Sequence, residues 1–125
     1  MIERLALLIW SATPERPELC VTPLVHALIA CALDAKVEIH FAGPAVRLLV
    51  SGVADQLYAT PDKEKSIGDY LREVRAAGAE LHPCSMAQAA WISKDESLIP
   101  ECTCAAGATT FVIHTLDPEW KTLVF

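Results

Sequence analysis

No apolar run in this sequence approaches the roughly 18 residues that a membrane-spanning helix needs. The longest, Leu24–Leu33, is interrupted by His26 and bounded by Pro23 and Asp34, so no membrane partner is expected. A positively charged leader is missing too. Met1-Ile2-Glu3-Arg4 is balanced in charge, Leu5–Trp10 is short for a secretory signal, and no small-x-small cleavage site follows. Leu5–Trp10 therefore reads as a buried strand, and a cytoplasmic location is expected. Basic residues are the minority: 10 Lys and Arg against 16 Asp and Glu give a net charge of −6, which argues against holding nucleic acid through its phosphates. The three tryptophans, Trp10, Trp91 and Trp120, are too dispersed to stack bases and read as core or subunit contacts. Neither a G-x-G-x-x-G turn nor a G-x4-G-K-[ST] loop occurs. No nucleotide and no other cofactor is expected.

The 125 residues fit one domain spanning 1–125, and 53% hydrophobic residues supply a sizeable core. Arg4–Ser11 reads as a first strand, apolar on both faces as inside a parallel sheet. A loop carrying Pro14 and Pro17 follows, then a helix to about Leu33, with Thr22 as its cap and Pro23 at its first position. Apolar residues cover most of that helix, so it is expected to lie between the sheet and another surface. Lys36–Ala42 is a second strand, with Val37, Ile39 and Phe41 on one face and Glu38 and His40 on the other. Gly43-Pro44 turns into a short helix through Leu49, ending near Gly52. Ser66, with Asp69 three residues on, opens a helix whose Ile67, Tyr70, Leu71 and Val74 form a stripe, and Gly78 stops it. Glu80–Pro83 is a third strand, Ser85–Ile92 a helix and Glu101–Cys104 a short strand. Ala105–Leu116 carries both strand and helix signals. Helix is preferred, because Trp120–Phe125 then completes a β-α alternation. The expected fold is α/β: a mainly parallel sheet of about five strands with helices on both faces.

Ligands of such sheets gather beyond the carboxyl ends of the strands, which narrows the search to Ser11–Thr13, Gly43, His82–Ser85 and Cys104–Gly107. Ser11-Ala12-Thr13 would bring hydroxyl or N–H donors to that crevice. Cys84 is the best-placed reactive group there: it leaves a strand and immediately precedes a helix, whose free N–H groups and positive dipole end favour a thiolate. A thiolate at a cleft edge can attack sulfane sulfur and carry it as a persulfide. A cysteine merely packed between strand and helix fits the same position. Five cysteines, Cys20, Cys31, Cys84, Cys102 and Cys104, are an odd number for a disulfide framework, and Cys20 and Cys31 read as structural.

Several segments together resemble the DsrE/DsrF-like sulfur-relay family: Val37–Gly43 (VEIHFAG), Ser66–Leu71 (SIGDYL), Ala77–Met86 (AGAELHPCSM), Ala106–Phe111 (AGATTF) and Leu123–Phe125. The resemblance extends over about the whole domain. It implies a parallel sheet flanked by helices, assembly as a homo-oligomer (trimer or hexamer), and sulfur donor and acceptor proteins as partners. It also implies that the cysteine after the third major strand, here Cys84, accepts the sulfur.

Around Cys84, His82 stands two residues earlier, on the same side of a regular strand, where it could hold a proton or assist the thiol. Pro83 disturbs that geometry, and a surface or interface histidine is an equal reading. Ser85 and its neighbours would offer backbone donors. Cys102 and Cys104 could resolve a persulfide, pair with Cys84, or simply be small residues in a tight connection. No C-x2-C pair supports a zinc site built from Cys84, Cys102, Cys104 and a histidine, and no metal ligand set is assigned. His26 reads as a core or subunit-contact residue, while His40 and His114 have no partner identifiable from sequence. Three functions follow: a sulfur carrier using Cys84, an oligomeric binding or scaffold subunit without covalent chemistry, and a thiol-disulfide or peroxide-handling protein using Cys84 with Cys102 or Cys104.

Overall fold

A computed structural model describes residues 2–125, so Met1 of the leading segment lies outside the described residues. The chain runs β1 (Arg4–Ile9), α1 (Val21–Ala32), β2 (Lys36–Phe41), a 3-10 helix (Gly43–Leu49), α2 (Ile67–Ala76), β3 (Glu80–Pro83), α3 (Ser85–Trp91), α4 (Ala108–Leu116) and β4 (Trp120–Val124). The four strands form one parallel sheet in the order β3-β2-β1-β4. The expected α/β class is present, with helices on both faces.

Strand order explains which helix covers which face. The chain steps outward from β1 to β2 to β3 with α1 and α2 as crossovers, then returns across the sheet to β4 on the far side of β1. Right-handed crossovers running in opposite directions leave their helices on opposite faces. One face, formed by Leu7, Ile9, Val37, Ile39, Phe41 and Leu81, is sealed by α1, α2 and the 3-10 helix into one apolar core with Leu24, Leu48, Leu49, Ile67, Leu71 and Val74. The other face carries Ala6, Leu8, Glu38, His40 and His82 and is covered by α4.

Local signals behave as their chemistry dictates at α2. Ser66 Oγ accepts the Asp69 N–H (3.0 Å) and Asp69 accepts the Ser66 N–H (3.2 Å), a reciprocal capping box. Gly78, at φ +114°, then supplies the left-handed turn after the helix. At α1 the expectation is corrected. A 3-10 turn over Pro17–Leu19 feeds directly into the helix, so Cys20 is its N-cap and Thr22 lies inside it. β1 ends at Ile9, leaving Trp10 56% exposed and Trp91 47% exposed; neither is a core residue of this chain.

The short strand expected over Glu101–Cys104 does not form as a ladder. The segment meets the outer edge of β3 through isolated bridges at Leu81–Cys102 and Cys84–Ala106, three steps of β3 against four of its partner. That slip follows from two local substitutions in the hydrogen-bond pattern. Thr103 Oγ1, not a carbonyl, accepts the Leu81 N–H (3.1 Å), and Pro83 has no N–H to give. Ala105–Gly107 stays extended, with Gly107 as the N-cap of α4. Among the described residues, no helix is long and apolar enough to cross a membrane.

Candidate functional site

Cys84 stands where β3 ends and α3 begins. Its N–H continues the sheet by donating to the Phe41 carbonyl (2.9 Å), while its carbonyl accepts the Gln88 N–H (2.9 Å) and so opens the helix. Cys84 is the N-cap of α3 and uses no side-chain hydrogen bond there. Half-buried, the residue lines a cavity of about 150 Å³ with Leu8, His40, Ala42, Ala106, Gly107, Ala108, Phe111 and Val112. The floor is the carboxyl end of β1, β2 and β3; the roof is the first turns of α4. Its walls are almost wholly apolar, and His40 is the titratable group that shares them with Cys84.

The other cysteines differ in setting, and all five are free. Burial pushes the Cys20 thiol up to about 12 and the Cys102 thiol up to about 11, with Glu18 and Glu101 respectively adding to the effect. Burial also raises Cys31, against a partial offset from a hydrogen bond with the Ala79 backbone. These three thiols are held in the neutral, unreactive form. Cys104 is exposed on the segment beside β3.

His82 is on the expected face, but its ring is committed elsewhere. Nδ1 lies 2.8 Å from the Cys104 carbonyl oxygen and Nε2 lies 3.0 Å from Glu80 Oε1. The Ser85 N–H donates to the Ala106 carbonyl (3.3 Å), and Ser85 is exposed. Ser11 and Thr13 lie outside the lining of the Cys84 cavity. The Ser11 N–H turns instead to the carbonyl of Phe125 (3.4 Å). His26, expected in a core or subunit contact, is exposed on α1, with Nδ1 2.8 Å from the Thr22 carbonyl.

Below the cavity the same sheet face holds a group that sequence reasoning did not assemble. β2 carries Glu38-Ile39-His40 and β3 carries Glu80-Leu81-His82, paired in register as Glu38 with Glu80 and His40 with His82. From α4, His114 reaches down, with Nε2 2.9 Å from Glu38 Oε1; His40 Nε2 is 3.1 Å from the same oxygen. The His40 and His82 rings stack at 5.2 Å, and His114 stacks on Trp120 at 3.8 Å. Burial pushes the Glu38 carboxyl up, but hydrogen bonds from His114 and His40 outweigh it and hold the pKa below the usual range. Burial lowers His40, an effect the Glu38 hydrogen bond only partly offsets. The overlooked signal is the repeated Glu-x-His. In strands, residues two apart share a face, so two such triplets on neighbouring parallel strands place four ligating groups together.

A parallel sheet whose carboxyl edge meets a cavity lined by Cys84, on a face otherwise lined by imidazole and carboxylate, defines a small α/β protein with a thiol at the mouth of its sheet. The chain belongs to the DsrE/DsrF-like family, whose family model matches residues 5–125. Its structure is similar to that of the YchN protein from E. coli (15% identity, 100% of each chain, TM-score 0.72). It is also similar to MTH1491, a protein of unknown function from Methanobacterium thermoautotrophicum (16% identity, 98% of this chain and 99% of that one, TM-score 0.66). At those identities the likeness shows the fold. No curated protein matches the chain.

Proposed function

We propose that the protein is a sulfur carrier that accepts sulfane sulfur on Cys84 and relays it to a partner protein. The observation that carries this reading is the cavity. Cys84 lines an open pocket at the carboxyl edge of the sheet, whereas Cys20, Cys31 and Cys102 are held neutral by burial. In the transfer, the Cys84 thiolate attacks the outer sulfur of a donor persulfide. A new S–S bond forms on Cys84, the donor S–S bond breaks, and the donor leaves as a thiol; no external oxidant is required. The apolar walls shield the terminal sulfur from water, and the cavity of about 150 Å³ has room for it.

A homo-oligomer is part of the proposal. Val112, Ile113 and Leu116 on α4 are each 52% exposed or more, and the edge strand β4 exposes Leu123 (41%) and Val124 (59%), one toward each face of the sheet. Exposed apolar surface of this kind is what a subunit contact covers.

Native and denaturing mass spectrometry after incubation with a persulfide donor test both parts. The expected outcome is a gain of about 32 Da per chain, localised to Cys84 and absent from Cys84→Ser, on an assembly heavier than one chain. An unmodified wild type that remains assembled would replace the carrier reading with the scaffold subunit. A loss of about 2 Da after mild peroxide, mapped to Cys84 with Cys102 or Cys104, would replace it with disulfide chemistry. The pairing with Cys102 has less support, because that thiol is pushed up to about 11.

A further inference from the structure

We propose that the cluster of Glu38, His40, His82 and His114, with Glu80, binds one divalent transition-metal ion of the Zn²⁺ class through imidazole nitrogens and carboxylate oxygens. The inference is independent of whether Cys84 carries sulfur.

The first support is the arrangement of donor atoms. The Glu38–His40–His114 and Glu38–Glu80–His82 triplets each offer one ligand atom per residue, all within 4.8 Å of one another, and they share Glu38. Zinc bonds of about 2.0–2.1 Å place tetrahedral ligands roughly 3.3 Å apart. Two nitrogen–oxygen distances around Glu38 Oε1, 2.9 and 3.1 Å, need open by only a few tenths of an ångström to admit the ion. Two histidines and a carboxylate with a free fourth position is also a common zinc ligand set. The imidazole content favours this class over Mg²⁺ or Ca²⁺, which take oxygen ligands.

The second support comes from counting hydrogens at His82. A backbone carbonyl only accepts, so Nδ1, 2.8 Å from the Cys104 oxygen, carries the hydrogen. Nε2 of a neutral ring is then a bare lone pair, and it faces Glu80 Oε1, another acceptor, at 3.0 Å. Two acceptors at that separation require a cation between or beside them: either a proton or a metal. Anchoring the far ring nitrogen to a carbonyl is also how a metal-ligating histidine is normally oriented. His82 is 6% exposed and His40 3%. Burying the Glu38 carboxylate with the His40 and His82 rings beneath a helix that adds a third imidazole, His114, is costly compared with apolar packing of the same volume, and a bound ion offsets that cost.

The test uses the full chain, stripped with a chelator and titrated with Zn²⁺ by calorimetry and with Co²⁺ by absorption. The expected result is one ion per chain, a Co²⁺ spectrum of nitrogen and oxygen ligation, and a change in Trp120 fluorescence, since that ring stacks on His114. Glu38→Gln should weaken Zn²⁺ at least ~100-fold and His114→Gln by ~10–100-fold, taking the loss of an orienting partner as the lower bound. Cys84→Ser should bind as the wild type does. If Glu38→Gln fails to fold, His114→Gln, half-buried on α4, carries the comparison. The proposal is overturned by a wild type that takes up no ion, by variants that bind equally well, or by a thiolate-to-Co²⁺ band that disappears in Cys84→Ser.

Discussion

The two faces of this sheet are built on opposite principles. The face beneath α1 and α2 presents Leu7, Ile9, Val37, Ile39, Phe41 and Leu81, all within 1% exposure, to an apolar core. The face beneath α4 presents Glu38, His40 and His82, buried at 3–8% exposure, together with a cavity that reaches Cys84. One helix of nine residues covers it, and that helix is itself apolar on its outside, at Val112, Ile113 and Leu116. The difference separates two tasks. Dispersion and area burial concentrate on the first face, where nothing titrates near neutrality; polar and reactive groups concentrate on the second, where packing is incomplete.

The sharpest way to break that comparison is to truncate one phenylalanine on each side. Phe41 is fully buried in the apolar core, and Phe41→Ala should cost about 3–5 kcal/mol. Phe111, on α4, is 8% exposed and borders the cavity, so part of its surface has no neighbours to lose. Phe111→Ala should cost measurably less in urea unfolding. Equal losses would mean that the α4 face bears as much of the stability as the other, and the division of labour would be wrong.

Much of the first face was legible in the sequence. The Val37-Ile39-Phe41 alternation, the Ile67-Leu71-Val74 stripe and the Ser66–Asp69 box are local patterns, and each sits where its spacing predicts. Cys84 at the mouth of the sheet was legible for the same reason: a strand exit followed by a helix start is a local feature. The second face was not, because its meaning lies in register. That Glu38 and His40 are buried depends on α4 crossing the sheet to reach β4, and the helix it crosses in carries β-branched Thr109, Thr110, Val112 and Ile113, whose propensity favours a strand. Tertiary topology overrides propensity there. The failed strand at 101–104 has a different origin: a side-chain hydroxyl replaced a ladder carbonyl, a competition that hydrophobic pattern does not reveal.

A smaller effect, which sharpens the contrast, is its dependence on pH in chelator-treated protein. His40 is surrounded by Glu38, His82 and His114, and its pKa is held below the ordinary 6.5, chiefly by burial. The unfolded chain therefore takes up a proton on this residue at a pH where the folded chain does not. Stability present above about 6.5 is lost as the pH falls toward the lower native value. Glu38, held below its ordinary 4.5, adds a second loss as the pH falls below that value. Over the apolar face the buried thiol Cys20 is neutral across the whole acid range, and the depressed carboxylates, Asp69 held low by Arg72 and Glu96 held at about 2 by Arg47, bring their loss only as the pH falls below the ordinary carboxylate range. Measured as protection relative to the intrinsic exchange rate at each pH, hydrogen exchange between pH 7 and 5 should show protection falling first in α4 while α1 and α2 keep theirs. A uniform loss of protection across the three helices would show that the faces unfold as one unit.

The smallest effect concerns how the two sets of helices begin. α2 opens with reciprocal side-chain hydrogen bonds between Ser66 and Asp69, and Ser66→Ala should lose about 1 kcal/mol, within the usual range for an N-cap. α4 opens on Gly107, which has no side chain to cap with, and no acidic residue lies in its first turn. Nothing steric requires glycine there: φ is −88°, and an added Cβ would meet only Ser85 Oγ, at an ordinary 3.6 Å. Gly107→Ser should therefore stabilise α4 by a few tenths of a kcal/mol, through a cap and a less flexible unfolded chain. Because Gly107 also lines the Cys84 cavity, the same change should slow modification of Cys84 by an alkylating probe if fluctuation of α4 opens the pocket. Slower exchange in α4 with unchanged alkylation would separate the two, leaving the thiol accessible through a static mouth.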